Sequence, residues 1–90
     1  MMTLSKNWDL QIDPDIFKEL KKVPEFDAKK ILTIIEILPL NPYAGDIQKI
    51  KGVDNTWRRR IGSYRLLYKV KTDDSIILVF HLERRASKTY

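Results

Sequence analysis

The chain has 90 residues, 43% of them hydrophobic, with three glycines, four prolines and no cysteine, which bounds it to one compact domain over residues 1–90 and excludes disulfides and thiolate metal sites. The formal net charge of +5 is segregated: residues 1–45 carry net −1, residues 46–90 carry net +6, and all six arginines lie between Arg58 and Arg85. No apolar run approaches the roughly 18 residues a membrane span needs and MMTLSKNWD has no signal-peptide core, so a soluble, cytoplasmic protein with no membrane partner is expected.

Trp8, Leu10 and Ile12 alternate with Asn7, Asp9 and Gln11, the period of a short first strand with one buried face. Asp13-Pro14 supplies an N-cap followed by proline at the first helical position, and Ile16, Phe17, Leu20 and Val23 then recur at helical spacing. The position before Pro24 should end that helix. A second helix is expected from Pro24, with Phe26, Ile31, Leu32, Ile34, Ile35 and Leu38 on an apolar face, Lys29, Lys30 and Glu36 outside it, and Pro39 and Pro42 closing it. The two helices form a hairpin whose apolar stripe must lie on something.

The second half provides the sheet. Trp57 to Ile61 and Tyr64 to Val70 are strand-like runs separated by Gly62-Ser63, and Ile76 to Leu82 follows the turn Thr72-Asp73-Asp74-Ser75. The order β-α-α-β-β-β predicts an α+β fold with both helices on one face of a mostly antiparallel sheet.

Strand alternation divides the arginines. Arg58 and Arg60 share one face, with Trp57, Arg59 and Ile61 on the other; Tyr64, Leu66, Tyr68 and Val70 form the face that covers the helices, with Arg65, Leu67 and Lys69 opposite. Arg58, Arg60 and Arg65 are therefore expected together on the open face, if no bulge at Gly62-Ser63 shifts the register. Arg59 then points to the helix side or its rim, as a structural residue or a charge that steers phosphate. Trp8, Trp57, Tyr64 and Tyr68 are read as core. The tail FHLERRASKTY adds Arg84, Arg85, Lys88 and Tyr90. Guanidinium forks match phosphate oxygens and a neighbouring aromatic ring can stack on an exposed base, a combination suited to single-stranded RNA. The plainer alternatives are ion pairs of Arg84 and Arg85 with Glu83 or Asp73, a frayed terminus for Tyr90, and a hydrogen-bonded rim position for His81. The lone His81 cannot build a metal centre by itself, and no metal or cofactor is expected.

The block from WDLQID through a Lys-rich helical hairpin, LPLNPYAGDIQKIKG and WRRRIGSYRLLYKV to ILVFHLERRASKTY resembles, over nearly its whole length, the RelE-type toxins of type II toxin-antitoxin modules. The resemblance implies a ribosome-dependent endoribonuclease that cuts mRNA without a metal, the ribose 2′-OH attacking its own 3′-phosphate. It assigns Arg60, Arg65, Arg84 and Tyr90 to catalysis, with Arg65 and Arg84 on the scissile phosphate and Tyr90 on a base. Arg58, Arg59, Lys51, Arg85 and Lys88 become phosphate contacts. It also implies an acidic RelB-like antitoxin that folds on binding, the ribosome and mRNA as partners, and a higher-order toxin-antitoxin complex. The chain departs from the family at Arg58 and Arg60, where lysines are usual, and a guanidinium cannot give up its proton near neutral pH. The burden then falls on charge stabilisation, or on Tyr90 or His81 for proton transfer. Two other readings stay open: an inhibitor of DNA gyrase of the ParE type, and a non-catalytic RNA- or ribosome-binding module.

Overall fold

A computed structural model of the chain describes residues 8–84. The elements are β1 (Asp9–Ile12), α1 (Pro14–Leu20), α2 (Glu25–Ile37), β2 (Ile47–Lys49), β3 (Thr56–Ile61), β4 (Tyr64–Lys71) and β5 (Ile76–Arg84). One five-stranded sheet results, in the order β1-β5-β4-β3-β2. β1 runs parallel to β5, and the other three pairings are antiparallel. The expected α+β class and helical hairpin are therefore present. The added element is β2, a three-residue edge strand with little hydrophobic alternation, which the expected order β-α-α-β-β-β does not contain.

Local signals explain most of the boundaries. The Asp13 carboxylate accepts the Asp15 N–H at 2.9 Å and caps α1, with Pro14 in the first turn. α2 starts directly after Pro24 and ends before Pro39. The β3–β4 hairpin turns through Gly62-Ser63 with Gly62 at φ +57°, a conformation glycine adopts without Cβ strain. The pairing runs without interruption from Thr56↔Lys69 to Ile61↔Tyr64, so no bulge disturbs that turn.

The core lies between the helices and one sheet face. Ile16 and Leu20 of α1 and Ile31, Ile35 and Leu38 at α2 meet Tyr64, Leu66, Tyr68 and Val70 of β4 and Ile77, Val79 and Leu82 of β5. Two helix positions differ from expectation: Phe17 and Phe26 are exposed. Ile16 and Leu20 fill the α1 contact, which turns Phe17 outward. Phe26 sits in the first turn of α2, beyond the sheet contact made by Ile31 and Ile35. Trp8 and Trp57 are only partly buried and pack against the core margin.

β5 carries the one irregularity that matters for the opposite face. Leu67 pairs with His81 but Tyr68 pairs with Val79, so Phe80 is an extra residue in a β-bulge. The bulge reverses the alternation: Ile77 and Val79 face the helices before it, and Leu82 faces them after it.

Candidate phosphate-binding site on the open sheet face

Because directly opposed residues share a face, the pairing defines two rows of side chains on the side away from the helices. In one row Arg60 of β3 is opposite Arg65 of β4, and Arg65 is opposite Glu83 of β5. In the next, Gln48 of β2 is opposite Arg58, Arg58 opposite Leu67, and Leu67 opposite His81. Asp46, just before β2, completes the first row: its backbone oxygen accepts the Arg60 N–H at 2.9 Å and its carboxylate accepts Arg60 Nε at 3.0 Å. Arg58 donates to Gln48 Oε1, and Arg65 Nη1 reaches Glu83 Oε2 at 3.4 Å.

Arg58, Arg60 and Arg65 line, with Asp46 and Gln48, a cavity of about 160 Å³. These are the three arginines that strand alternation places together. Three guanidinium groups against two carboxylates, Asp46 and Glu83, leave a net positive charge of one on the array. Arg60 and Arg65 face each other as like charges, and each is drawn outward to a carboxylate. Both acids and both arginines are substantially exposed, so each pair is worth at most about 0.2–1 kcal/mol and is open to exchange for another anion. A phosphate offers tetrahedral oxygens to the same forks and can enter where the carboxylates lie.

Arg59 has a different task. It points to the helix side, where Nη1 donates to the Ala44 carbonyl at 3.1 Å and Nε is buried without a hydrogen-bond partner. Gly45, at φ +90°, lies against the Arg59 guanidinium so closely that a Cβ there would collide with it. The buried Tyr68 hydroxyl donates to the Pro42 carbonyl at 2.6 Å, and the Tyr43 ring meets Trp57 edge to face at 5.4 Å. Burial pushes the Tyr68 phenol up to about 12, although the positive charge of Arg59 pulls against that rise. Arg59, Tyr68 and Trp57 thus fasten the segment 42–45 to the core, and Asp46 follows directly after it.

The other expected residues fall elsewhere. Lys51 is exposed in the turn between β2 and β3, at the far end of that hairpin from Asp46 and Arg60. Arg84 does not join Arg65. It is opposite Tyr64, whose side chain is buried on the helix face, and it lines a groove there with Glu19, Lys22 and Leu82. The cause is the bulge at Phe80, which sends Leu82 and Arg84 to the helix side and His81 and Glu83 to the open side. Glu83 accordingly turns to Arg65 and to His81, whose Nε2 is 2.9 Å from Glu83 Oε1, rather than to Arg84. Arg85, Lys88 and Tyr90 lie outside the described residues. Sequence reading missed Asp46 and Gln48, and offered Glu83 as a partner of Arg84 or Arg85 where the structure pairs it with Arg65. A carboxylate in a loop or at a strand end has no periodic signature, and only pairing reveals it.

The comparisons give the class of protein that carries this helical hairpin on one sheet face and arginine cluster on the other: a small toxin of the type II toxin-antitoxin class. The chain belongs to the family described as ParE toxin of type II toxin-antitoxin system, parDE, which it matches over residues 10–88, and within it is a RelE-type toxin. It is 37% identical over 81 residues to RelE1 of Methanocaldococcus jannaschii, covering 87% of this chain and 90% of that one. Toxin RelE3 of the same organism is 40% identical over 77 residues, covering 81% and 86%. Among solved structures, the RelE-RelB complex from Pyrococcus horikoshii matches with a TM-score of 0.79 and 25% identity, over 92% of this chain and 100% of that one. The RelB-RelE antitoxin-toxin complex from Methanococcus jannaschii matches with a TM-score of 0.72 and 31% identity, over 86% and 92%. Among the described residues, no helix is long and apolar enough to cross a membrane.

Proposed function

We propose that this toxin is a ribosome-dependent mRNA endoribonuclease that arrests translation. The observation that carries the reading is the convergence of Arg58, Arg60 and Arg65 on one cavity of the open sheet face. In-line attack of a ribose 2′-OH on its 3′-phosphate builds negative charge on a pentacoordinate phosphorus, and positioned guanidinium groups stabilise that charge without reorganising. Arg60 and Arg65 hold the scissile phosphate and Arg58 its neighbour. Arg84, on the helix side of the β5 end, serves a more distant phosphate. Arg59 holds the loop that carries Asp46. The tail residues Arg85, Lys88 and Tyr90 retain the roles that the family resemblance gives them. A RelB-like antitoxin, of the kind present in the complexes above, neutralises the basic face, and the cytoplasm, where the ribosome is, is the site of action.

The test is purified protein with ribosomes and a translated message. Cuts phased with codons, lost in the Arg60→Ala, Arg65→Ala double variant, support the reading. Absence of cuts at any protein concentration overturns it. A second reading, inhibition of DNA gyrase, is favoured by the ParE name of the matching family alone. A supercoiling assay separates it, because an RNA-cleaving toxin leaves gyrase turnover unchanged.

A further inference from the structure

The arginine cluster can neutralise charge but cannot take a proton, since a guanidinium stays protonated at any pH a ribosome tolerates. The 2′-OH must nevertheless lose its proton. Asp46 offers a carboxylate in the cavity, but its Oδ2 accepts from Arg60 Nε at 3.0 Å. Among the described residues, the open face also carries the one imidazole in the chain, His81.

The geometry points to His81 as the proton-accepting group of RNA cleavage, held in place by Glu83, a role that rests on the endoribonuclease reading above. His81 Nε2 lies 2.9 Å from Glu83 Oε1, and Glu83 Oε2 lies 3.4 Å from Arg65 Nη1. A carboxylate only accepts, so Nε2 carries the hydrogen of that bond, and in the neutral ring the free lone pair is on Nδ1. The pair His81–Glu83 repeats the logic of a base oriented by an acid, and its contact through Oε1 is separate from the Oε2 contact that phosphate displaces from Arg65. All three side chains are accessible, Arg65 least, at 35%. His81 is opposite Leu67, so it is the diagonal neighbour of Arg65 across β4 and β5, a separation on the order of 7–8 Å in a sheet. The imidazole therefore stands outside the side chains that line the arginine cavity, and bound message has to span from that cavity to it.

The bulge at Phe80 is what makes this possible. Without it, alternation from Ile77 and Val79 would bury His81 and Glu83 against the helices. Bulges that re-aim a side chain recur beside active sites. The charged groups around His81 are Glu83 on its own strand and Arg65 and Lys69 on the open face of β4. Across the groove at the β5 edge, Asp15, Lys18 and Glu19 of α1 and Lys22 just after it also line its surroundings.

In the reaction, the 2′-oxygen forms a bond to phosphorus as its proton passes to His81 Nδ1. The bond from phosphorus to the 5′-oxygen breaks, the electron pair leaves with that oxygen, and water supplies the proton it takes up. The products are a 2′,3′-cyclic phosphate end and a 5′-hydroxyl end.

The test compares His81→Ala and Glu83→Gln with wild type in single-turnover cleavage of ribosome-bound message, together with RNA affinity and the melting transition. His81→Ala should cut about 10²–10⁴-fold more slowly, with RNA affinity within about twofold, and added imidazole should restore part of the rate. Glu83→Gln should slow cleavage less and shift the pH–rate profile, as expected of a positioning residue. Cleavage by His81→Ala within threefold of wild type overturns the proposal, as does a loss of rate matched by an equal loss of affinity or one that imidazole cannot restore. If wild-type protein cleaves nothing, the endoribonuclease reading falls and this one with it; arginine-dependent cleavage that ignores His81 removes only this one.

Discussion

Arg60 and Arg65 lie directly opposite each other across β3 and β4, yet each guanidinium turns outward to a carboxylate, Arg60 to Asp46 at 3.0 Å and Arg65 to Glu83 at 3.4 Å. Two like charges on neighbouring strands repel, and the flanking acids offset that repulsion while the site is empty. An incoming phosphate does the same work with more oxygens. The free protein therefore holds its arginines spread and ready for exchange.

Removing the arginines should expose their separate roles. Arg60→Ala and Arg65→Ala should each lower cleavage by at least about tenfold, and each lost phosphate contact should reduce the slope of log affinity against log salt by about 0.7 for single-stranded RNA. Arg59→Ala should leave that slope unchanged and instead lower the melting temperature, because Arg59 fastens the 42–45 segment. Salt titrations of RNA binding beside thermal melts check all three.

Asp46 competes with the phosphate for Arg60. Asp46→Asn keeps the shape and the backbone bond to Arg60 but removes the charge, so RNA affinity at low salt should rise several-fold. Stability should change by no more than about 1 kcal/mol, the pair being exposed. Filter binding and chemical denaturation of the same sample measure both. An affinity below wild type would mean that Asp46 organises the cavity for substrate.

Gly45→Ala should be costly for two reasons. Its φ of +90° strains any L side chain, and the added methyl collides with the Arg59 guanidinium. A loss of roughly 2–4 kcal/mol is expected from strain and displaced contact together. Gly52→Ala is the control: φ is +79° there but nothing lies within 4 Å, so only the backbone strain of about 1 kcal/mol remains. Urea unfolding of the two variants separates the terms.

Tyr68 links stability to alkaline pH. Its folded pKa of about 12 exceeds the unfolded value of about 10, so between these values the unfolded chain binds fewer protons. The contribution is complete below pH 10 and is lost as pH rises toward 12, by about 2–3 kcal/mol in all. Tyr68→Phe should cost about 1 kcal/mol at neutral pH through the lost bond to the Pro42 carbonyl, and should flatten the alkaline fall. Denaturation midpoints at pH 8 to 11 for both proteins test the difference.

The order of elements, the cap at Asp13, the helical hairpin and the division of the arginines were legible in the chain because each rests on neighbours. A strand exposes alternate residues whatever it pairs with, so Arg58 and Arg60 part from Arg59, and Arg65 parts from Tyr64 and Leu66, before any fold exists. The turn at Gly62-Ser63 carried that alternation from β3 into β4 without a slip.

Contacts between strands far apart in sequence were not legible. β2 exists because Gln48 and Ile47 meet Arg58 and Arg59, and nothing in three residues announces such an edge. The bulge at Phe80 is a property of the β4–β5 pair, since β5 alone reads as a plain run of apolar residues. That one extra residue moves Arg84 to the helix side and brings Glu83 and His81 to Arg65. Sequence by itself determined which residue types could bind phosphate; register, set only when the strands pair, decided which of them stand together.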